Sequence, residues 1–192
     1  MRGIIIFLKY KGEKMNEQQN EKKQASFQES LSDEQKGKMA KEIAEVGSLL
    51  HEEWRSPRKL EDGTYNPRVK VLVQTEEGKE KWLDEEKIPT NSTELKRQDI
   101  ANTEFKDLDP HWQEDNRAAG EVAVNLVWEA ENNSKELDDN FIEEASSAVH
   151  EKWKERAPWA DDALKVSYQE LPENEKEKDR AQVRKAIEIY SK

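Results

Sequence analysis

The sequence predicts a mainly α fold: two helix-pair repeats packed about a pseudo-twofold axis, with a small β-hairpin insertion in the first repeat. Two recurring phrases and one periodicity carry this expectation. Ser48-Leu49-Leu50-His51-Glu52-Glu53-Trp54 returns as Ser147-Ala148-Val149-His150-Glu151-Lys152-Trp153, offset by 99 positions. Phe105-x-x-Leu108, leading to Arg117-Ala118 and Ala123-Val124, returns as Tyr168-x-x-Leu171, Arg180-Ala181 and Ala186-Ile187, offset by 63. The difference, 99 − 63 = 36, is the surplus carried by the first copy. Around both phrases apolar residues recur at spacings of three and four, the period of one buried helix face. An internal duplication constrains architecture before any single motif does.

The elements follow in order. Lys11-Gly12-Glu13-Lys14-Met15 can be encoded by a purine-rich ribosome-binding stretch before a start codon, so translation is expected to begin at Met15, with residues 1–14 a start-site artefact. Residues 16–30 are Gln, Glu, Lys, Asn and Ser with one Phe, which extends the expected disordered segment over 1–30. Ser32-x-x-Gln35 is a capping box. It opens a helix whose stripe is Met39, Ile43, Val46, Leu50 and Trp54, ended by Pro57. Within the insertion (55–104), Arg68-Val-Lys-Val-Leu-Val73 suits a strand. Glu76-Glu77-Gly78-Lys79 is a turn, and a hairpin ends near Lys81-Trp82-Leu83. Pro89 to Thr93 and Asp99 to Thr103 are expected as loop. Asp109 caps a helix with Pro110 at its first position. Asn132-Asn133-Ser134 breaks it, and a third helix carries Leu137, Phe141, Ile142, Ala145, Val149 and Trp153. Leu164 to Tyr168 is expected to be extended, and Pro172 opens the last helix. Residues 31–192 thus form a single domain of two repeats, 32–131 with the insertion and 134–192.

Composition narrows the function classes. The chain has 192 residues, 33% of them hydrophobic and 39% charged, so its core is thin and six Trp must supply much of it. A net charge of −11 disfavours nucleic acid, whose phosphates demand clustered Lys and Arg. The absence of Cys removes disulfides and thiol chemistry and suits a reducing, cytoplasmic setting. Three His leave little for a metal site, and no cofactor is expected. The apolar run Gly3 to Leu8 is too short for a membrane span.

Val149-His150-Glu151-x-Trp153, followed by Val166-Ser-Tyr168-Gln-Glu-Leu171-Pro172-Glu-Asn-Glu175-Lys176-Glu-Lys-Asp179-Arg180, resembles the ryanodine-receptor (RyR) repeat over residues 147–190. That family pairs a His-Glu-x-Trp-like phrase with Tyr-x-x-Leu-Pro-x-x-x-Lys-x-x-Asp-Arg. The chain departs from it where a Gly-Trp-x-Tyr-Gly loop is usual and Ala157-Pro-Trp159-Ala-Asp161-Asp162 stands instead. The first copy matches less well, although Tyr65-Asn-Pro-Arg68, Asp99-Ile-Ala-Asn102 and Trp112-Gln-x-x-Asn116-Arg117 resemble phrases of bacterial and phage proteins. The resemblance implies a helical contact-making or ligand-sensing module without catalysis, and an adenine-nucleotide-like ligand is among those it implies.

The candidate ligand-contacting residues are His51, His150, Trp54, Trp153, Trp159, Arg117, Arg180 and Tyr168. Each has a plainer structural role beside it. The two His lack a second His four residues on, which excludes the zincin pattern; they are expected to hydrogen-bond across the helix pair. Trp54 and Trp153 end helices and either fill core or line a cleft in which a flat ring stacks, with Trp82, Trp112 and Trp159 as further walls. Arg117 and Arg180 either pair with nearby carboxylates or bind a ligand anion with a planar fork. No residue is assigned as catalytic. The expected function is a non-enzymatic binding module for a small nucleotide-like molecule or a protein. The alternatives are an assembly protein of phage or mobile-element origin and an enzyme built on His51, Glu52, His150 and Glu151.

Overall fold

The Ser32 hydroxyl accepts from the Gln35 backbone N–H and the Gln35 side chain accepts from the Ser32 N–H, so helix α1 (Asp33–Arg55) starts at its capping box. This computed structural model of the chain describes residues 26–158 and 160–192. The expected start-site artefact, the first 25 residues of the expected disordered segment and Trp159 lie outside the described residues. Residues 26–30, also assigned to that segment by composition, are helical. The reason is tertiary: Phe27 and Leu31, four apart on one helix face, both bury in the shared core, and Gln28 donates to Asn125.

The buried face of α1 is Met39, Glu42, Val46, Gly47 and His51, a rotation from the expected stripe that leaves Trp54 36% exposed. Glu42 tolerates burial because the Trp128 indole N–H donates to it at 2.5 Å and Lys38 stands 3.5 Å away. Pro57 sits in the 3-10 turn Ser56–Arg58 that closes the helix.

The insertion holds three strands, β1 (Val69–Gln74), β2 (Glu80–Asp84) and β3 (Thr93–Asp99), all antiparallel in the order β2-β1-β3. Gly78, at φ 75°, turns β1 into β2 with Leu72 opposite Trp82. On its other side β1 pairs with β3, Lys70 opposite Gln98. The expected hairpin is therefore corrected to a three-stranded sheet. β1 has Val71 and Val73 wholly buried and needs pairing on both edges, whereas Thr93–Asp99 has only Leu95 as an apolar residue and gives no alternating signal.

Three further helices follow: α2 (Pro110–Asn132), capped by Asp109; α3 (Asp139–Arg156), capped by Asp138; and α4 (Glu173–Tyr190), preceded by Pro172. Ser134, at φ 53°, makes the break between α2 and α3. The stretch expected to be extended at 164–168 instead contributes to two 3-10 turns, Asp162–Leu164 and Tyr168–Glu170.

The expected layout of two helix-pair repeats about a pseudo-twofold axis does not describe this arrangement. The fold is mainly α with a small three-stranded sheet, and α2 and α4 each pack against all the other helices. One continuous apolar cluster joins them, with Val46, Val124, Val127, Val149 and Val183 at its centre. Thin amphipathic helices cannot bury their faces pair by pair, so they share one core. The recurrence of the phrases is a matter of local side-chain contacts. No helix among the described residues is long and apolar enough to cross a membrane.

Helices α1 and α2 touch backbone to backbone. A Cβ on Gly120 would stand 2.8 Å from a Val46 methyl, and one on Gly47 would stand 3.2 Å from the Arg117 nitrogen. Gly37, in the exposed first half of α1, has nothing within 4 Å of such a Cβ. Gly120→Ala is expected to destabilise by about 1–2 kcal/mol, overpacking exceeding the gain in helix propensity. Gly37→Ala should stabilise by about 0.5–1 kcal/mol. Urea unfolding midpoints of the two variants, moving in opposite directions, check the pair.

Candidate functional site

The two His-Glu-x-Trp phrases build the same local clamp. His51 and His150 are both buried. Nε2 of His51 lies 3.0 Å from the Thr103 carbonyl, and Nε2 of His150 lies 3.0 Å from the Val166 carbonyl. A carbonyl can only accept, so in each ring Nε2 carries the hydrogen and donates. Each imidazole stacks on the Trp three residues later: His51 on Trp54 at 5.7 Å, His150 on Trp153 at 5.6 Å. Each also tilts against the aromatic residue that opens the 3-10 turn just before the next helix, Phe105 (turn Phe105–Asp107) at 6.5 Å and Tyr168 (turn Tyr168–Glu170) at 6.4 Å. The clamp ties a helix end to the loop that precedes the next helix.

The groups around the two clamps differ. At the second, Arg180 donates to Glu143 through Nε and Nη2, contacts Glu173, and lies 3.6 Å from Glu177. The Tyr168 hydroxyl donates to Glu143 at 3.0 Å; burial first, then that carboxylate, pushes the phenol up to about 12. His150 Nδ1 faces the buried Asp179 carboxyl at 3.5 Å. Burial, reinforced by Glu175, pushes Asp179 up to about 7. A protonated Asp179 suits Nδ1, which is an acceptor when Nε2 holds the hydrogen.

At the first clamp Arg117 donates to Gln113 at 3.1 Å, and its nearest carboxylate, Glu114, is 3.9 Å away. Its guanidinium lies 5.9 Å from the Phe105 ring. Burial lowers the His51 pKa, opposed by the Thr103 carbonyl. The insertion supplies the rest. Arg55 pairs with Glu52 at 2.7 Å and lies 4.5 Å over the Tyr65 ring. Arg58 lies 4.5 Å over the Trp54 ring and donates to the Trp54 carbonyl. Asn102 accepts from the Tyr65 N–H and donates to its carbonyl, both at 2.8 Å. Asp99 accepts from the Arg68, Ala101 and Asn102 N–H groups. The Tyr65-Asn-Pro-Arg68 and Asp99-Ile-Ala-Asn102 phrases therefore meet and fasten the insertion beside the first clamp.

Of the candidates drawn from the sequence, His51, Trp54 and Arg117 gather around Phe105, and His150, Trp153, Tyr168 and Arg180 gather in the second group. Among the described residues no hydrogen bond, ion pair or ring contact joins one group to the other. Trp82 and Trp112 form a separate cluster with His111, their rings 5.7 Å apart and edge to face. Sequence reasoning passed over Glu143 and the buried state of Asp179. Glu143 and Asp179 could have been found by tracing the ion partners of Arg180 and the second nitrogen of His150. Among the described residues no group of three or more His, Asp or Glu is placed to hold a metal ion. The chain matches no protein-family model, no curated protein and no solved structure.

The two clamps are expected to give opposite pH responses. Asp179 is raised in the fold, so its contribution is fully present below the unfolded value of 3.8 and is lost as pH rises towards about 7. Asp179→Asn, which stays neutral, should stabilise the protein at pH 8 by on the order of 1–3 kcal/mol and have little effect at pH 4. His51 is depressed, so its contribution is present above the unfolded 6.5 and is lost as pH falls below it. Urea midpoints of Asp179→Asn and His51→Gln, measured from pH 4 to 8 against the unmodified chain, test both signs.

Proposed function

We propose that the chain is a cytoplasmic, non-enzymatic binding module whose contact face is the first clamp. The observation that carries this reading is Trp54. It is one of the exposed large apolar side chains, at 36%, and is held by stacking on the His51 imidazole and by the Arg58 guanidinium 4.5 Å over its ring. A large ring already ordered at the surface loses little rotamer freedom when a partner covers it, and Trp and Arg dominate binding hot spots. The occupant is a flat nucleotide-like molecule packing against the exposed part of Trp54 and the Arg58 guanidinium, or a protein surface that does the same.

Both imidazoles spend Nε2 on a backbone carbonyl, which supports a positioning role for them and weighs against general-base chemistry. The likeness of residues 147–190 to the RyR repeat points the same way, towards contact and ligand sensing. The second clamp, with Arg180 already held by carboxylates, acts in this reading as the structural counterpart.

Thermal-shift measurements with a panel of mono- and dinucleotides test the reading. A ligand at a hundredfold excess over its Kd is expected to add about 2.7 kcal/mol and raise Tm by several degrees. Trp54→Ala should abolish that ligand-induced rise, measured against the variant's own free Tm, which falls because the ring also packs on His51. A rise that survives Trp54→Ala would place the ligand elsewhere and remove the proposal.

A further inference from the structure

The two clamps share a framework, and the second shows what the first lacks. Seven residues before the clamp histidine, the second has Glu143 (150 − 7 = 143) and the first has Ala44 (51 − 7 = 44). Twelve residues before the arginine, the second has Tyr168 (180 − 12 = 168) and the first has Phe105 (117 − 12 = 105). The residue preceding the arginine is Asp179 in one and Asn116 in the other. A carboxylate, a buried carboxyl and a hydroxyl are missing at once.

The consequence falls on Arg117. Arg180 is closed off by Glu143, Glu173 and Glu177, and its side chain is 14% exposed. Arg117 is 40% exposed, and among the described residues it donates to the Gln113 amide, has Glu114 3.9 Å away and faces the Phe105 ring. Ala44 lies one turn before Gly47, whose backbone meets the Arg117 main chain, and by the same offset from the histidine it is the counterpart of Glu143, a methyl in place of a carboxylate.

We propose that the first clamp binds a small organic acid, its carboxylate taking beside Arg117 the place that Glu143 fills beside Arg180. A guanidinium fork donates two parallel hydrogen bonds to a carboxylate, and the Arg117 fork is steadied by the Phe105 ring 5.9 Å away. A chain with a net charge of −11 repels a polyanion at long range, which favours a small acid over an acidic peptide. This inference rests on reading the first clamp as the contact face and adds to it a second ligand class, held at Arg117 and not at Trp54.

The test is a titration of the full chain with glutarate at fixed ionic strength. The arginine side-chain N–H signals are followed by NMR, and Tm is recorded in parallel. The expected result is a saturable shift of the Arg117 signal with Arg180 unmoved. Ala44→Glu, which installs the missing carboxylate within the chain, should raise the Kd by about tenfold or more. Ala44→Gln, of equal bulk and no charge, should change it by less than about threefold. If Ala44→Glu proves unstable, Arg117→Gln serves instead and should abolish the glutarate-induced rise in Tm.

Four results overturn the inference: an Arg117 shift that fails to saturate, equal movement of Arg180, wild-type affinity in Ala44→Glu or Arg117→Gln, or binding of hexaglutamate without binding of glutarate. A Trp54-dependent nucleotide response alongside a silent Arg117 removes the organic acid and leaves the contact face standing. Silence in both measurements removes both.

Discussion

Helices α1 and α2 approach so closely that Gly47 and Gly120 occupy the places where side chains would otherwise separate them, and much of the molecule follows from that contact. It seats Val46 in the core and brings Glu42 within reach of the Trp128 indole. At the other end of α1 it holds the helix terminus against the segment leading into α2, so that His51 reaches the Thr103 carbonyl. The insertion must leave and return across this narrow gap. Its fastening through Asp99, Asn102 and Tyr65 accordingly lies next to the His51 clamp.

The clamp itself is an economical device. One imidazole nitrogen fixes a loop carbonyl, the ring face supports a Trp, and the helix end gains a rigid corner without a metal or a disulfide. Used twice, it meets two different charge environments. Around His150 the helices supply their own counter-charges, and the Tyr168–Glu143–Arg180 network closes on itself. Around His51 the corresponding positions are apolar or neutral, and cations also lie over aromatic faces: Arg58 over Trp54, and Arg55, which pairs with Glu52, over Tyr65. The first environment favours permanence. The second leaves polar capacity at the surface.

Legibility in the sequence tracked how local each determinant is. The Ser32–Gln35 box, the Asp109–Pro110 start and the β1 run are written within a few neighbouring residues, and the structure has them where the sequence does. The third strand escaped notice because β3 owes its existence to the unfilled edge of β1 rather than to its own polar sequence. The α1 stripe was misjudged by a fraction of a turn because a buried Glu42, paid for by Trp128, looks polar in isolation. The phrases around His51 and His150 marked genuine contacts, yet their repetition suggested a helix-pair layout that the shared core overrides. The acceptors of both His rings are backbone carbonyls, which no residue type announces.

The polar character of β3 has a bearing on how the protein behaves in a crowded solution. Its far edge is not paired within the sheet, and such an edge is a template for pairing with another chain. Glu94, Lys96 and Arg97 occupy that strand, with Lys96 tied to Asp109 and Arg97 to Glu85 and Glu94. A second strand approaching this border would have to desolvate three charges and disturb pairs that also anchor α2 and the turn after β2. The weakest-patterned strand in the sequence is thereby the one that guards the sheet against aggregation.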